Sequence, residues 1–145
     1  MKIAIGSDHA GYELKAILKD HLKEKQINVV DYGTDSLESV DYPDYAEAVG
    51  QAVAHDDFDF GILVCGTGIG VSIAANKVKG VRAALIYNEE TARLAKQHNQ
   101  ANVITMGGRM TSPELAKKMV DAFMEEHFET RHQRRIDKIS KIEEK

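Results

Sequence analysis

The segment Cys65–Gly70 (CGTGIG) places a thiol directly before three alternating glycines. Glycine lets the backbone approach a ligand closely, and successive N–H groups at a helix start attract anions. The dinucleotide motif G-x-G-x-x-G does not fit, because it would need a glycine at Val71, and no Walker-type Gly-Lys-Ser/Thr spacing occurs. The segment therefore indicates an anion-binding loop more than a nucleotide site.

Cys65 lies at the end of an apolar run, where a strand gives way to a helix. The amino end of a helix favours a thiolate, whereas burial disfavours it. A thiolate in such a place can act as a base or a nucleophile. A lone cysteine is more often a packed core residue, so position alone leaves both interpretations open.

Two histidines lie near other candidate groups. Ser7-Asp8-His9 follows the first apolar run, and Asp8 suits either a helix cap or a catalytic partner. His98-Asn99 ends a helical segment, where a C-terminal cap is the simpler interpretation. The chain has no H-E-x-x-H or Cys/His pair spacing, which predicts that it holds no zinc.

Arg131 and Arg135 are four residues apart in a helical segment, so they share a face. Like charges at this spacing destabilise a helix by about 0.2–0.5 kcal/mol, whereas a dianion held between them would make the arrangement favourable. The alternative is a solvated basic face. Arg109, just after Gly107-Gly108, is a further candidate cation at a strand end.

Short apolar runs alternate with segments of helical period along the chain. This alternation predicts a doubly wound, Rossmann-like three-layer α/β sandwich with a parallel sheet of about five strands. Ligands bind beyond the carboxyl ends of such strands, so the loops after the first, third and fifth strands are the expected site. The expected strands are 1–6, 27–32, 60–65, 82–87 and 103–106, and the expected helices are 10–25, 43–54, 69–78, 88–98, 112–123 and a last one from about 130.

Length and composition are those of one soluble domain spanning residues 1–145. The formal net charge of −4 argues against a nucleic-acid partner, and no apolar run approaches the ~18 residues of a membrane span. The single cysteine and the absence of a signal-peptide pattern at the first residues predict a cytoplasmic location.

Six sequence blocks, in order along nearly the whole chain, resemble those of type B ribose-5-phosphate isomerases. That group belongs to the sugar-phosphate isomerase family, which also holds galactose-6-phosphate isomerases. The resemblance implies interconversion of ribose 5-phosphate and ribulose 5-phosphate in the pentose phosphate pathway, through a cis-enediol and without metal or organic cofactor. The blocks are GSDHAG (6–11), DYPDYA (41–46), CGTGIG (65–70), SIAANK (72–77), HN (98–99) and RHQ (131–133).

The resemblance also implies roles for individual residues. Cys65 would be the base that moves the proton, Thr67 would position it, and His98 with Asp8 would open the furanose ring. Some family members use a glutamate at the position of Val71, which is apolar here and leaves the thiolate as the base. The implied substrate contacts are the loop residues Gly66, Thr67, Gly68, Ile69 and Gly70, the phosphate ligands His9, Arg131 and Arg135, and the sugar ligands Arg109, Asn99 and Tyr42.

The last segment of the chain departs from the family pattern, and its apolar residues predict an assembly of several copies. The family commonly has Gly-Gly before the Arg-His pair, whereas this chain has Glu129-Thr130 and is one residue shorter there. Apolar side chains on the final helix, about 130–143, form a narrow seam that suits packing on a second copy. A homodimer or dimer of dimers with shared sites is therefore expected, and the alternative is a helix that folds back on its own domain. The seam residues are Ile136, Ile139 and Ile142.

Three alternative functions stay open at this point. The first is an isomerase of a hexose 6-phosphate of galactose or allose type, because a six-carbon sugar needs only a slightly longer pocket. The second is a non-catalytic subunit of a hetero-oligomeric hexose-phosphate isomerase. The third is a flavodoxin-like module that binds an anion or nucleotide through Gly66–Gly70 without turnover.

Overall fold

The computed structural model describes all residues from Met1 to Lys145. Its centre is a five-stranded sheet in the order β2-β1-β3-β5-β4, with every neighbouring pair parallel. The predicted parallel sheet is confirmed, and its first strand lies beside its third. The strands are β1 (Lys2–Ser7), β2 (Asn28–Asp31), β3 (Phe60–Cys65), β4 (Ala83–Leu85) and β5 (Val103–Gly107).

Six α-helices follow the predicted alternation, and short 3-10 turns at His9–Gly11 and Thr130–His132 precede the first and the last of them. None of the helices combines the length and the apolar character needed to cross a membrane. The helices are α1 (Tyr12–Glu24), α2 (Tyr42–His55), α3 (Ile69–Ala75), α4 (Glu89–Gln97), α5 (Pro113–Glu125) and α6 (Gln133–Glu143).

Helices cover both faces of the sheet and make two separate cores. One core joins α1, α4 and α5 to the sheet, with Phe60 against Phe123 at a ring-centroid distance of 4.9 Å. The other joins α2 and α3 to the opposite face, through residues such as Val49 and Val71. Both faces of β1, β3 and β5 are buried, which explains why these strands read as continuous apolar runs.

Three predicted elements are three residues too long: helix α3, strand β4 and the last helix. The last helix begins at Gln133 because Thr130–His132 form a 3-10 turn, so Arg131 precedes α6 and only Arg135 lies on it. Helix α3 ends at Ala75 and not at Val78, because the next side chain, Asn76, bonds to the backbone of Ala83. Its Oδ1 accepts from the Ala83 N–H at 2.8 Å, and its Nδ2 donates to the Ala83 carbonyl at 3.0 Å. Strand β4 ends at Leu85, and two residues later Thr91 Oγ1 accepts the Tyr87 N–H at the start of α4.

Lys15 is the largest charged side chain of the interior, with 1% of its surface exposed. Its ammonium donates to Asp31 Oδ1 at 2.8 Å and to the carbonyl of Thr34, while Lys19 binds the other carboxylate oxygen at 2.8 Å. Burial alone would raise the pKa of Asp31, but the hydrogen bonds from both lysines and from the Gly33 N–H lower it. The loop after β2 is thereby held against α1, next to the end of β1.

Lys15→Met is expected to lower the free energy of unfolding by about 2–4 kcal/mol, because it leaves the Thr34 carbonyl and part of the Asp31 carboxylate without a partner. Lys19, the more exposed of the two lysines on Asp31, provides a matched control. Lys19→Met should lower the free energy of unfolding by less than about 1 kcal/mol. The folded-state pKa of Asp31 lies below 3.8, so the contribution of the pair is complete above pH 3.8 and disappears as pH falls through the folded-state value. Urea unfolding at pH 7 and pH 3 measures both effects; equal losses in the two variants would contradict the assigned role of Lys15.

Candidate active site

The thiol of Cys65 lies at the carboxyl end of β3, beneath the glycine-rich loop. The residue is 4% exposed, and its Sγ accepts the Gly68 N–H at 3.2 Å. Gly68 has φ of +81°, and a β-carbon there would stand 2.7 Å from Leu85 Cδ1 and from the Met106 backbone. Only glycine fits this turn, which folds the loop back so that an N–H points at the sulfur, an arrangement that suits negative charge there.

The three loops named from the sheet topology meet at this edge. The Asp8 N–H donates to the Val64 carbonyl at 3.3 Å, which joins the loop after β1 to the end of β3. The Gly108 N–H donates to the Cys65 carbonyl at 2.7 Å, which joins the loop after β5. The predicted meeting of these loops around the thiol is therefore confirmed by the backbone hydrogen bonds.

Asp8 and His9 are both oriented by backbone groups. Asp8 is 6% exposed, and its Oδ1 caps the following 3-10 turn by accepting the N–H groups of Ala10 at 2.9 Å and Gly11 at 3.1 Å. The cap interpretation of Asp8 is thus correct. His9 Nδ1 accepts the Val40 N–H at 3.2 Å, so the proton of the neutral ring is on Nε2.

Three further predicted residues border the loop. Thr67 is exposed, and its hydroxyl accepts the Ile69 N–H at 3.1 Å. The Tyr42 ring lies directly against Gly70, where a β-carbon would approach it to 2.6 Å. Arg109 reaches Gly66 with its guanidinium, and its N–H donates to the Gly66 carbonyl at 3.1 Å. A cation, a phenol and a hydroxyl therefore surround the backbone amides.

The remaining predicted site residues form a second cluster at the other edge of the sheet. Helix α4 runs antiparallel to the strands, so its end at His98 lies at their amino ends, where the Asn102 N–H meets the Arg82 carbonyl at 3.0 Å. The whole length of β5 separates this edge from that of Cys65: the strand has five residues, and each adds about 3.3 Å. The cluster surrounds a cavity of about 340 Å³ lined by His98, Asn99, Arg131, His132, Arg135, Ile136 and Ile139.

Within one chain, the predicted residues thus do not form one pocket. Cys65, Thr67, Asp8, His9, Tyr42 and Arg109 lie at the carboxyl edge. His98, Asn99, Arg131 and Arg135 lie at the amino edge. The topology itself carried a signal for this separation, because a crossover helix always ends at the opposite edge from the strand that precedes it.

His132 belongs to the amino-edge cluster and was missed by the sequence reasoning. Its ring lies 4.5 Å from that of His98, and its Nδ1 accepts a hydrogen bond from Arg135 Nη1 at 2.9 Å. An arginine only donates, so the proton of the neutral ring is on Nε2, which is buried and has no partner. Burial and the charges of Arg131, His98 and Arg135 lower the pKa of His132, so the ring is a neutral donor at pH 7.

Glu129 is the second residue that the sequence reasoning did not place in the site. Its Oε1 lies 2.9 Å from Arg131 Nη2 and 3.9 Å from Nε2 of both His98 and His132. The carboxylate and the two imidazoles offer three ligand atoms within 4.8 Å of one another, as a metal site would. The bond from Arg135 keeps the proton on His132 Nε2, however, and two guanidinium groups add positive charge. The cluster therefore suits an anion better than a cation.

Fold and site together define a doubly wound α/β protein with candidate anion-binding groups at both ends of its parallel strands. The family model described as Ribose/Galactose Isomerase matches residues 3–139, and the chain belongs to that family. The resemblance in the six sequence blocks is confirmed by this match.

Related proteins match this chain over almost its full length. The chain is 48% identical to ribose-5-phosphate isomerase B of Escherichia coli, over 99% of this chain and 97% of that protein. Among solved structures, ribose-5-phosphate isomerase B of Clostridium thermocellum matches with a TM-score of 0.97 and 48% identity, covering 99% and 98% of the two chains. The enzyme of the same name from Mycoplasma genitalium, with bound ribulose-5-phosphate, matches with a TM-score of 0.94 and 50% identity, covering 99% and 97%. The predicted α/β fold is confirmed by these structures.

Proposed function

We propose that this chain is an aldose–ketose isomerase that interconverts ribose 5-phosphate and ribulose 5-phosphate. Membership of the isomerase family and full-length similarity to ribose-5-phosphate isomerases B support this activity. The structural observation that carries the proposal is the thiol of Cys65, buried at a strand end under the Gly68 amide. A carbon acid needs a base placed against it and donors for the oxygen that becomes negative.

The chemistry at the carboxyl edge follows from these groups. In the open-chain aldose, the Cys65 thiolate removes the proton from C2, and the electron pair forms the C1–C2 double bond while negative charge develops on O1. The loop amides of Gly66–Gly70 stabilise that charge. The Cys65 thiol then returns the proton to C1 while the proton of O2 moves to O1, which yields the ketose and restores the thiolate. Thr67, exposed beside the loop, transfers or holds these hydroxyl protons.

The amino-edge cluster supplies ring opening and phosphate binding. We assign His98, paired with Asp8, to proton transfer between the ring oxygen and the hydroxyl at C1. Arg131 and Arg135 bind the phosphate with His9, and the neutral His132 N–H adds a donor from the same cluster. The sugar hydroxyls are assigned to Asn99, Arg109 and Tyr42.

One substrate molecule must reach both edges, so we propose a homodimer, or a dimer of dimers, in which each site takes one edge from each copy. Helix α6 supports this proposal, because Ile136 is 4% exposed whereas Ile139 and Ile142 are 40% and 66% exposed. Apolar side chains also surround the glycine-rich loop and favour a second copy there over solvent. They are Ile69, Ile73, Leu85, Tyr87 and Met110, each at least 37% exposed.

A cytoplasmic location and a single domain over residues 1–145 complete the proposal. The catalytic role assigned to Cys65 requires a reduced thiol, and this residue is the one cysteine of the chain. A reducing compartment keeps such a thiol active. The substrate is a phosphorylated sugar, and no cofactor is required by the chemistry above.

The purified chain alone is expected to isomerise ribose 5-phosphate. Its kcat/KM for this sugar should be at least about tenfold higher than its kcat/KM for allose 6-phosphate or galactose 6-phosphate, because one extra carbon in a closed pocket changes kcat/KM by about that factor. A coupled assay with each sugar phosphate, with and without EDTA, measures this, and EDTA should have no effect. Preference for a hexose phosphate would favour the galactose- or allose-type alternative. Inactivity on every sugar, together with nucleotide binding, would favour the binding module.

A further inference from the structure

We propose that Glu129 is a built-in competitor of the substrate phosphate: its carboxylate holds Arg131 in the empty site and must release it when phosphate binds. The inference rests on the proposed function, which places the phosphate at Arg131 and Arg135. It assigns to Glu129 the setting of phosphate affinity.

The hydrogen bonds of the two arginines differ. Arg135 donates to a neutral imidazole, that of His132, and this bond leaves its charge uncompensated. Arg131 instead donates through Nη2 to Glu129 Oε1 at 2.9 Å, a charge-assisted bond. Of the two guanidinium groups assigned to phosphate, one is therefore already bound to an anion of the same chain.

The backbone keeps Glu129 in this place. Its N–H donates to the carbonyl of Gln97, at the end of α4, at 2.9 Å, and its carbonyl accepts the His132 N–H at 3.0 Å. The Gln97 side-chain amide is bound in turn to the carboxylate of Glu126. The carboxylate can leave Arg131 by rotating its side chain, but the residue itself cannot move away from the cluster.

The consequence for binding is electrostatic. A phosphate bound to Arg131 shares that guanidinium with the Glu129 carboxylate or displaces it, and either event weakens net binding. Glu129 is 41% exposed and Arg131 is 66% exposed, so solvent reduces the effect without removing it. We expect the carboxylate to keep Arg131 oriented in the empty site and to speed the release of the phosphorylated product.

Glu129→Gln tests the inference with inorganic phosphate as the probe. The variant keeps the length of the side chain and removes its charge, so the inhibition constant of phosphate should fall by about 3- to 10-fold, the scale of a partly exposed charge pair. KM for ribose 5-phosphate should fall by a similar factor, and both changes should shrink at ~1 M salt, where the Debye length is about 3 Å. Glu125→Gln is the matched control, because it makes the same charge change at a carboxylate that pairs with Arg93 and is not part of the cluster.

The outcomes separate this inference from the proposed function. Unchanged or weaker phosphate affinity in Glu129→Gln, or an equal gain in Glu125→Gln, overturns the role of Glu129. Arg131→Ala serves as the reference: if it loses phosphate affinity and the native chain isomerises ribose 5-phosphate, the proposed function stands whatever Glu129→Gln does. If the native chain is inactive and phosphate binding is indifferent to Arg131, the proposed function and the inference both fail.

Discussion

Replacement of Cys65 by alanine is expected to lower kcat for ribose 5-phosphate by about 10²- to 10⁴-fold, the usual contribution of a positioned acid–base group. The thiol has no substitute nearby in the loop, since its neighbours contribute amides and the hydroxyl of Thr67. KM should change little, because the groups assigned to phosphate binding are untouched. Steady-state kinetics in both reaction directions measures the loss, and the loss in kcat/KM must be equal in both because a variant cannot change the equilibrium constant of the reaction.

A neighbouring residue provides the control for the lost volume. Val64→Ala removes apolar atoms one position earlier in the same buried strand, where Val64 is 0% exposed, but leaves the loop chemistry unchanged. It should lower stability by about 1–3 kcal/mol and leave kcat within about threefold. If Cys65→Ala retained near-native kcat while folding normally, Cys65 would be a packed core thiol and the base would have to be sought elsewhere.

Co-refolding of two inactive variants is expected to restore activity. Cys65→Ala disables the carboxyl edge and His98→Asn the amino edge, and these edges lie on opposite sides of the sheet within one chain. If each site takes one edge from each copy, a mixed dimer contains one site with both residues intact. Random pairing then gives about one quarter of the native specific activity, from parents that are each nearly inactive.

The controls for this experiment establish that exchange took place. Each parent is refolded alone, and differently tagged chains confirm by affinity capture that mixed dimers formed. Activity that stays at the parental level in confirmed mixed dimers would contradict shared sites. In that case each chain would have to build its own complete site, and the separation of the two edges would need a rearrangement of α4 and α6.

The architecture could be predicted because its signals are local and repeated. Runs such as Phe60–Cys65 are apolar throughout since both faces of a central strand are covered, and the intervening helices have one apolar face. Element ends were less predictable. Helix α3 stops where Asn76 binds Ala83, and that contact exists only after β4 has taken its place beside β5.

The candidate site likewise has one part that the sequence predicted and another that only the folded chain shows. Residue types and their place after strands determined the carboxyl-edge group, because parallel strands bring their ends together by geometry. Arg131 and Arg135 were identified by helical spacing, but nothing in that spacing shows that Arg131 lies in the 3-10 turn before α6 or which edge of the sheet the pair reaches.

The chemical character of the amino-edge cluster was decided by tertiary structure alone. His132 is a neutral donor because Arg135 binds its Nδ1 and because burial and neighbouring charges lower its pKa. Glu129 faces Arg131 because its backbone is bound to the end of α4. The sequence by itself therefore determined the fold and the family, and it predicted the candidate reacting groups. Only the folded chain decided their protonation and partners, since both depend on burial and on charges from segments far apart in sequence.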